Sequence, residues 1–181
     1  MREPTIARNY AETLVALAQK AGELDSWGDM LDEVAQAIER DRRLQNFLAS
    51  PRVSAQEKNR IIARAFQDRL PRVFVRFLEA VITHRRQHLI PEIAQEYRTI
   101  VDETENRVHA SVTVARETDD DARGVIERQL ARATGKKIVA HYTVRPEILG
   151  GVIVRIGDEV MNGSVQRRLA RLRARMLGVG R

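Results

Sequence analysis

The chain contains no cysteine and few aromatic residues. Of its 181 residues, 4% are Phe, Trp or Tyr, and Trp27 is the one tryptophan. The absence of cysteine excludes disulfides, thiolate zinc sites, iron–sulfur clusters and a cysteine nucleophile. Because aromatics are scarce, a core has to consist mainly of Leu, Ile, Val and Ala on helices. A chain of this length buries about 70% of its unfolded surface, so we expect a substantial core.

Long hydrophobic runs are also missing. A helix that spans a bilayer needs about 20 consecutive apolar residues, and no stretch of the sequence comes near that length. The opening sequence, MREPTIARNYAETLVALAQK, is amphipathic and lacks the apolar region and cleavage site of a signal peptide. We therefore expect no direct membrane insertion, and we interpret the first residues as a helix of the mature protein.

Charge is distributed unevenly along the chain. The formal net charge is +6, yet residues 1–105 carry 16 basic and 17 acidic residues, whereas residues 106–181 carry 15 and 8. The basic excess therefore belongs to the C-terminal part. Because nearly all of the basic residues are arginine, we interpret the excess first as a compositional bias and second as an affinity for phosphate.

Residues 1–105 repeat one pattern, in which apolar side chains recur at helical spacing between short breaks. The stripes are, in order, Ile6, Tyr10, Leu14 and Leu17; Trp27, Leu31, Val34 and Ile38; Leu44, Phe47 and Leu48; Ile61, Ile62, Ala65 and Phe66; Val73, Phe74, Phe77, Leu78, Val81 and Ile82; and Ile93, Tyr97, Ile100 and Val101. Ser54 followed by Glu57 is a capping box in front of the fourth stripe. The pattern predicts a six-helix bundle.

Beyond Asn106 the period changes from helical spacing to alternation. Residues 107–117 alternate and predict a strand. Thr118 is predicted to cap a helix whose first turn carries three aspartates at 119–121, and Gly135 ends that helix. Two further apolar segments predict strands at 136–144 and 150–156, the second of them buried, before Ser164 caps a last helix. Residues 106–181 are therefore predicted to form a small α/β domain with the order strand–helix–strand–strand–helix, and the whole protein to be mostly α.

The four histidines offer little for catalysis or metal binding. His84 and His88 are spaced to share one helix face, as two metal ligands would, but the glutamate of the zinc-protease motif is absent and Arg85 would repel a cation. We interpret the pair as a solvated helix end. His109 and His141 fall on the polar sides of two strands, and we interpret both as surface residues.

Nucleotide and cation motifs are incomplete as well. The segment ATGKKI at 133–138 lacks the preceding strand, the earlier glycine and the hydroxyl residue of a phosphate loop, so Gly135 is better explained as a helix C-cap. Residues 119–121 are three aspartates that fit a helix N-terminus better than a calcium loop. The sequence therefore predicts no catalytic residue, no metal site and no cofactor.

The last helix carries arginines outside its apolar stripe. The arginines are Arg167, Arg168, Arg171, Arg173 and Arg175, and no acidic residue follows Gly163. A docked helix whose basic face meets solvent or an acidic protein partner explains this composition. The alternative is a basic helical adaptor that binds nucleic acid, although the aromatic platforms that usually accompany such sites are not evident.

The most specific motif lies near the C-terminus. It comprises Gly150–Gly151, an apolar strand, Gly157–Asp158, and Gly163–Ser164 in front of the basic helix. Together with IARNYAETLVALA near the start, it resembles the delta subunit of F-type ATP synthase, the family called oligomycin-sensitivity-conferring protein in mitochondria. The family usually has Asp-Gly-Ser at the last turn, and Asn162 stands here in place of the aspartate. Asn favours the same tight turn through positive φ, so we expect the fold to be kept.

The resemblance implies a non-catalytic stator subunit that links the F1 catalytic head to the peripheral stalk during proton-driven ATP synthesis. In the family, the N-terminal bundle receives the N-terminal helix of an alpha subunit in a groove between its first and fifth helices, here about residues 4–20 and 71–84. The C-terminal domain meets the C-terminal region of the b subunit. A location at the cytoplasmic face of a bacterial membrane, peripheral and without nucleic acid, is the corresponding expectation.

The resemblance also assigns residues to these contacts. The predicted groove residues are Ala7, Tyr10, Thr13, Leu14, Phe77 and Ala80. Both helices are apolar over more than one stripe, which predicts spare apolar surface for a partner helix. The alternative is that all of this surface packs inside the bundle. For the stalk, the predicted contacts are Arg168, Arg171 and Arg175.

Overall fold

The computed structural model describes residues 3–66 and 69–176, and the chain divides into two compact units, Met1–Glu103 and Thr104–Arg181. The described part is mostly helical, with one small four-stranded mixed sheet. All of the strands belong to the second unit. The change of hydrophobic period near Asn106 therefore falls close to the structural division.

The described residues of the first unit form helices joined by short connections. The elements are α1 (Glu3–Ala21), α2 (Leu24–Arg40), α3 (Arg42–Ala49), α4 (Ala55–Phe66), α5 (Arg72–Thr83), a 3-10 turn (Gln87–Leu89) and α6 (Ile90–Thr104). Two of the helix starts have side-chain caps. Asp41 Oδ1 accepts from the backbone N–H of Arg43 at 2.7 Å, and Ser54 Oγ accepts from that of Glu57 at 3.2 Å. These bonds satisfy donors that the first helical turn leaves unpaired, and the Ser54 cap predicted from sequence is confirmed.

The core of the first unit runs through all six helices. Trp27 of α2 meets the ring of Phe74 of α5 edge-on, with centroids 5.8 Å apart, and its indole N–H donates to Glu23 at 3.0 Å. Tyr97 of α6 is fully buried, and its hydroxyl donates to the Leu24 carbonyl at 2.8 Å. Burial raises the pKa of Tyr97 to about 12, because the phenolate would lose its hydration there.

A buried lysine binds carbonyl groups at the C-terminal end of α3. Lys58 is 6% exposed, and its ammonium donates to the carbonyls of Leu48 at 2.6 Å and Ser50 at 2.9 Å. Carbonyls in the last turn of a helix lack partners inside the helix and lie at the negative end of its dipole. Lys58 therefore joins α4 to the C-terminus of α3.

The second unit places one helix against a sheet. Its elements are β1 (Arg107–Val114), α7 (Asp120–Thr134), β2 (Lys137–Val144), a 3-10 turn (Pro146–Ile148), β3 (Val152–Ile156), β4 (Glu159–Asn162) and α8 (Val165–Met176). The sheet order is β2-β1-β3-β4; β1 and β2 are parallel, whereas β3 is antiparallel to both β1 and β4. Because parallel neighbours need a crossover, α7 connects them and its Leu130 joins the small core on the sheet.

Three details of this unit differ from the sequence prediction. The short strand β4 is an addition, so the order is strand–helix–strand–strand–strand–helix. The strand β3, predicted to be buried, has only Val154 buried, while Val152, Ile153 and Ile156 are half-buried. Asp119 caps α7 by accepting from the N–H of Ala122 at 2.8 Å, whereas the sequence predicts Thr118 as the cap.

Candidate functional site

The predicted groove residues on α1 and α5 divide into buried and accessible members. Ala7, Leu14 and Phe77 are buried in the core, Tyr10 is half-buried, and Thr13 and Ala80 are exposed. The structure brings the two helices together through Tyr10 and Phe77, whose rings meet edge-on with centroids 6.2 Å apart. Ala7, Leu14 and Phe77 can therefore supply only the floor of a binding surface.

The prediction that α1 and α5 carry wide spare apolar surface is wrong. Their large apolar side chains lie mostly inside the unit, and Val73 is the one described large hydrophobic on these helices that is clearly exposed. Both helices are apolar on several sides because each packs against several neighbours. The accessible members of the predicted groove set are Tyr10, Thr13 and Ala80, which we call the α1–α5 surface.

The glycine-rich motif is a folding element that joins β3 to the start of α8. Gly163 N–H donates to the Val152 carbonyl at 2.9 Å, and Val165 N–H donates to the Gly150 carbonyl at 2.9 Å. Gly151 has φ +75°, and a Cβ at this position would collide with the Gly163 carbonyl oxygen. Glycine is therefore required at 151 for both conformation and space.

Asn162 and Ser164 fix the turn in front of α8. Asn162 Oδ1 accepts from the backbone N–H of Ser164 at 3.1 Å and from its hydroxyl at 2.7 Å, and Ser164 Oγ accepts from the N–H of Arg167 at 3.2 Å. The predicted positive φ at Asn162–Gly163 is wrong, since neither residue has it. Asn162 acts instead through an Asx turn, for which an aspartate oxygen would serve equally well.

The predicted turn at Gly157–Asp158 joins β3 to β4, with φ +55° at Gly157.

The apolar stripe of α8 is exposed, contrary to the expectation of a docked helix. The stripe, which we call the α8 stripe, comprises Val165, Leu169, Leu172 and Met176. Leu169 is 52% exposed and Leu172 49%. Leu149, which follows the 3-10 turn that contacts α8, is 67% exposed and has φ +62°.

The predicted stalk arginines lie beside this stripe. Arg168 and Arg171 are exposed and three residues apart, so they share one flank of α8. The side chain of Arg175 lies outside the described residues. The described part of α8 therefore combines an open apolar stripe with a basic flank.

The histidines are not arranged as the sequence predicts. His84 and His88 do not share a helix face, because α5 ends at Thr83 and His88 lies in the following 3-10 turn. His109 and His141, interpreted as separate surface residues, are in direct contact, with Nδ1 of His109 3.0 Å from Nε2 of His141. Their separation of 32 residues gives no local signal, since only the register of β1 on β2 brings them together.

A cluster of three or more potential metal ligands (His, Asp or Glu) is not found in residues 3–66 and 69–176. A cavity of about 400 Å³ lies in the first unit, and its lining combines apolar residues such as Ile38 and Leu48 with polar ones such as Gln45 and Gln87. Among the described helices, none has both the length and the apolarity needed to cross a lipid bilayer.

Known proteins match this chain along nearly its full length. The family model described as ATP synthase delta (OSCP) subunit matches residues 6–176. The chain belongs to this family. ATP synthase subunit delta of Gemmatimonas aurantiaca is 50% identical over 174 residues, covering 96% of this chain and 94% of the relative. ATP synthase subunit delta of Desulforamulus reducens is 34% identical, with 98% of each protein covered.

A solved structure agrees at the level of the fold. A chain of the cryo-EM structure of the Toxoplasma gondii mitochondrial ATP synthase hexamer has a TM-score of 0.54 and 18% identity, with 94% of this chain and 97% of that chain covered. Family membership makes the protein a non-catalytic component of the peripheral stalk of ATP synthase. The surfaces that join it to the rest of the complex are then the functional site.

Proposed function

We propose that the two units serve different partners within the synthase. Residues 1–105 hold the N-terminal helix of an alpha subunit and so attach the protein to the F1 head, and residues 106–181 bind the C-terminal region of the b subunit. The complex places the protein peripherally at the cytoplasmic face of a bacterial cell membrane. Each unit then acts as one end of a mechanical link that resists the torque of the rotor.

The exposed α8 stripe is the observation that carries the proposal for the stalk. Leu169 and Leu172 leave about half of their side-chain surface open, although buried apolar area contributes about 25 cal/mol per Å². Large apolar side chains that remain exposed along one helix favour a protein interface. The flank with Arg168 and Arg171 adds a preference for acidic residues, so the best-fitting partner is an amphipathic helix whose apolar stripe is bordered by Asp or Glu.

The α1–α5 surface supports a weaker, shallower contact with the alpha subunit. Ala80 is exposed and has a small side chain, so another helix can approach its backbone closely. Tyr10 offers a ring edge at the border of the core. Thr13 adds little hydrogen-bonding capacity, because its hydroxyl donates to the Asn9 carbonyl at 2.9 Å. Most of the binding energy at such a surface would come from the few apolar contacts at Tyr10 and Ala80.

Calorimetry with two peptides tests whether the two units bind different partners. The alpha peptide comes from the N-terminus of the alpha protein, and the b peptide comes from the C-terminus of the b protein. Leu169→Asp should abolish binding of the b peptide and leave binding of the alpha peptide unchanged, whereas Ala80→Asp should do the reverse. Ala170→Asp is the matched control, because it adds the same charge to an exposed position of α8 outside the stripe. If Leu169→Asp and Ala170→Asp weaken the b peptide equally, charge alone explains the effect and the α8 stripe is not the interface.

The alternative of a nucleic-acid adaptor has no structural observation in its favour. Tyr142 is the one aromatic residue in residues 106–181, and the Arg123 guanidinium covers its ring at 5.0 Å while its hydroxyl donates to the Arg123 carbonyl at 3.2 Å. A base-stacking platform is therefore not available on the described part of this unit. Steeply salt-dependent binding of generic duplex DNA would revive the alternative.

A further inference from the structure

The contact between His109 and His141 lies on the sheet face opposite α7. In the parallel register, His109 of β1 is paired with Val139 and His141 of β2 is paired with Ser111, so the two histidines are diagonal neighbours. Ala110 and Val112, which alternate with His109 along β1, point into the core. Both imidazoles are exposed to solvent.

The two rings meet edge to edge. Their planes differ by 13°, and their centroids are 5.3 Å apart while Nδ1 of His109 and Nε2 of His141 are 3.0 Å apart. The nitrogens therefore lie between the rings, as in an N–H···N hydrogen bond, in which one imidazole donates and the other accepts. When the donating imidazole carries its proton on its other ring nitrogen instead, two nitrogen lone pairs face the same small space.

This separation suits a metal ion. Two imidazole nitrogens each about 2.1 Å from one ion, at a right angle, stand about 3 Å apart. The rings must turn so that both lone pairs point at one position, and the broad χ2 preference of exposed histidine permits that rotation. No movement of the paired strands is needed, because the nitrogens already have the required distance.

The basic side chains around the pair repel a cation, so binding depends on the strength of the metal–imidazole bonds. Arg107 and Lys137 border the pair along the strands, and both interact with Glu105, at 3.2 and 3.9 Å. Arg155 lies across β1, opposite Ser111. No carboxylate joins the two nitrogens in a cluster within the described residues, so Mg²⁺ and Ca²⁺, which need oxygen ligands, are excluded. Imidazole ligands favour Cu(II), Ni(II) and Zn(II), and Cu(II) binds most strongly in this series.

We propose that His109 and His141 form a two-imidazole site for a divalent transition-metal ion, with Cu(II) preferred. Water completes the coordination sphere, so the site is open. Because the ligands come from β1 and β2, the bound ion links the two parallel strands on the face that α7 does not cover. The site is independent of the α1–α5 surface and of the α8 stripe.

Titration of the full-length protein with Cu(II), followed by calorimetry and electron paramagnetic resonance, tests the proposal. We expect one ion per chain and a resonance spectrum with coupling to two imidazole nitrogens. His109→Gln and His141→Gln should each abolish this component, and both should still fold, since both side chains are exposed. His84→Gln is the matched control, because His84 is also exposed but lies in the other unit.

A second measurement distinguishes the site from adventitious binding. Cu(II) should raise the unfolding temperature of the second unit in the unsubstituted protein and in His84→Gln, but not in His141→Gln, because only an ion bound to the folded strands stabilises them. Retention of the two-nitrogen spectrum in His109→Gln or His141→Gln would overturn the proposal. An equal loss in His84→Gln would do the same, since it would indicate unspecific binding to surface histidines.

Discussion

The two units differ in how completely they bury their apolar side chains. In the first unit the large apolar side chains of all six helices meet in one core, which includes Leu14, Phe74 and Tyr97. In the second unit the core is confined to one side of the sheet and α7, while the α8 stripe remains open. The first unit therefore buries most of its large apolar side chains internally, whereas the second leaves the apolar area of α8 exposed. The predictions that follow test this contrast.

The largest loss of stability is expected from truncating a side chain in the core of the first unit. Phe74→Ala removes a fully buried ring that contacts Trp27 and should lower the free energy of unfolding of the first unit by about 3–5 kcal/mol. Urea unfolding followed by tryptophan fluorescence measures it, because Trp27 is the one tryptophan and lies in this unit. A loss below about 1 kcal/mol would mean that this core is not closed. Val73→Ala is the exposed control on the same helix.

The second prediction compares two glycines of the second unit. Gly151→Ala combines a left-handed conformation with a backbone collision and should cost roughly 2–4 kcal/mol. Gly135→Ala has a similar φ, +69°, but open space around its Cβ, so it should cost only about 1–2 kcal/mol. Hydrogen exchange of the β3 amides measures both. Equal costs would show that the contact with Gly163 does not constrain the turn.

The third prediction concerns alkaline pH. The folded-state pKa of Tyr97, about 12, exceeds its unfolded value of 10.0, so the folded protein holds this proton more tightly. The stabilisation that this proton contributes is therefore fully present below about pH 10. The free energy of unfolding falls as the pH rises towards 12, by about 1–2 kcal/mol at about pH 11.5. Urea unfolding at about pH 9 and about pH 11.5 measures the loss. Tyr97→Phe should remove this part of the pH dependence, and a variant with the same slope would contradict the assignment.

The smallest effect on stability is expected at the open helix. Leu172→Asp should change the free energy of unfolding of the second unit by less than about 0.5 kcal/mol, because Leu172 is already half exposed. Leu130→Ala, in the core beneath the sheet, should cost about 2–4 kcal/mol and is the contrasting variant. Thermal unfolding followed by circular dichroism compares them. A large loss in Leu172→Asp would show that α8 is packed in solution.

Local signals in the sequence predict much of this fold. Ser54 caps a helix as expected, and Gly135 ends α7 with φ +69°. These features depend on neighbouring residues and need no tertiary information. The strand β4 escapes prediction because its four residues follow a two-residue turn and are too short to display a period.

The surfaces are harder to predict than the elements. Periodicity shows which side chains of α1 and α5 are apolar, but the number of neighbours that cover them depends on packing, and so Leu14 and Phe77 prove to be buried. The same limit applies in reverse to Leu169, whose stripe was expected to be covered. The histidine pair requires the register of two parallel strands, which no local pattern encodes.

The sheet order also bears on how the chain is made. β1 lies between β2 and β3, and both neighbours come later in the sequence, the second roughly forty residues after β1 ends. At a synthesis rate of about 5–20 residues per second, the nascent strand waits for seconds with its edges unpaired. Until β3 leaves the ribosome, Val112 and Val114 have only part of their final cover. During this interval the emerged part of the nascent chain exposes apolar surface and an unpaired strand edge to other chains, which favours aggregation.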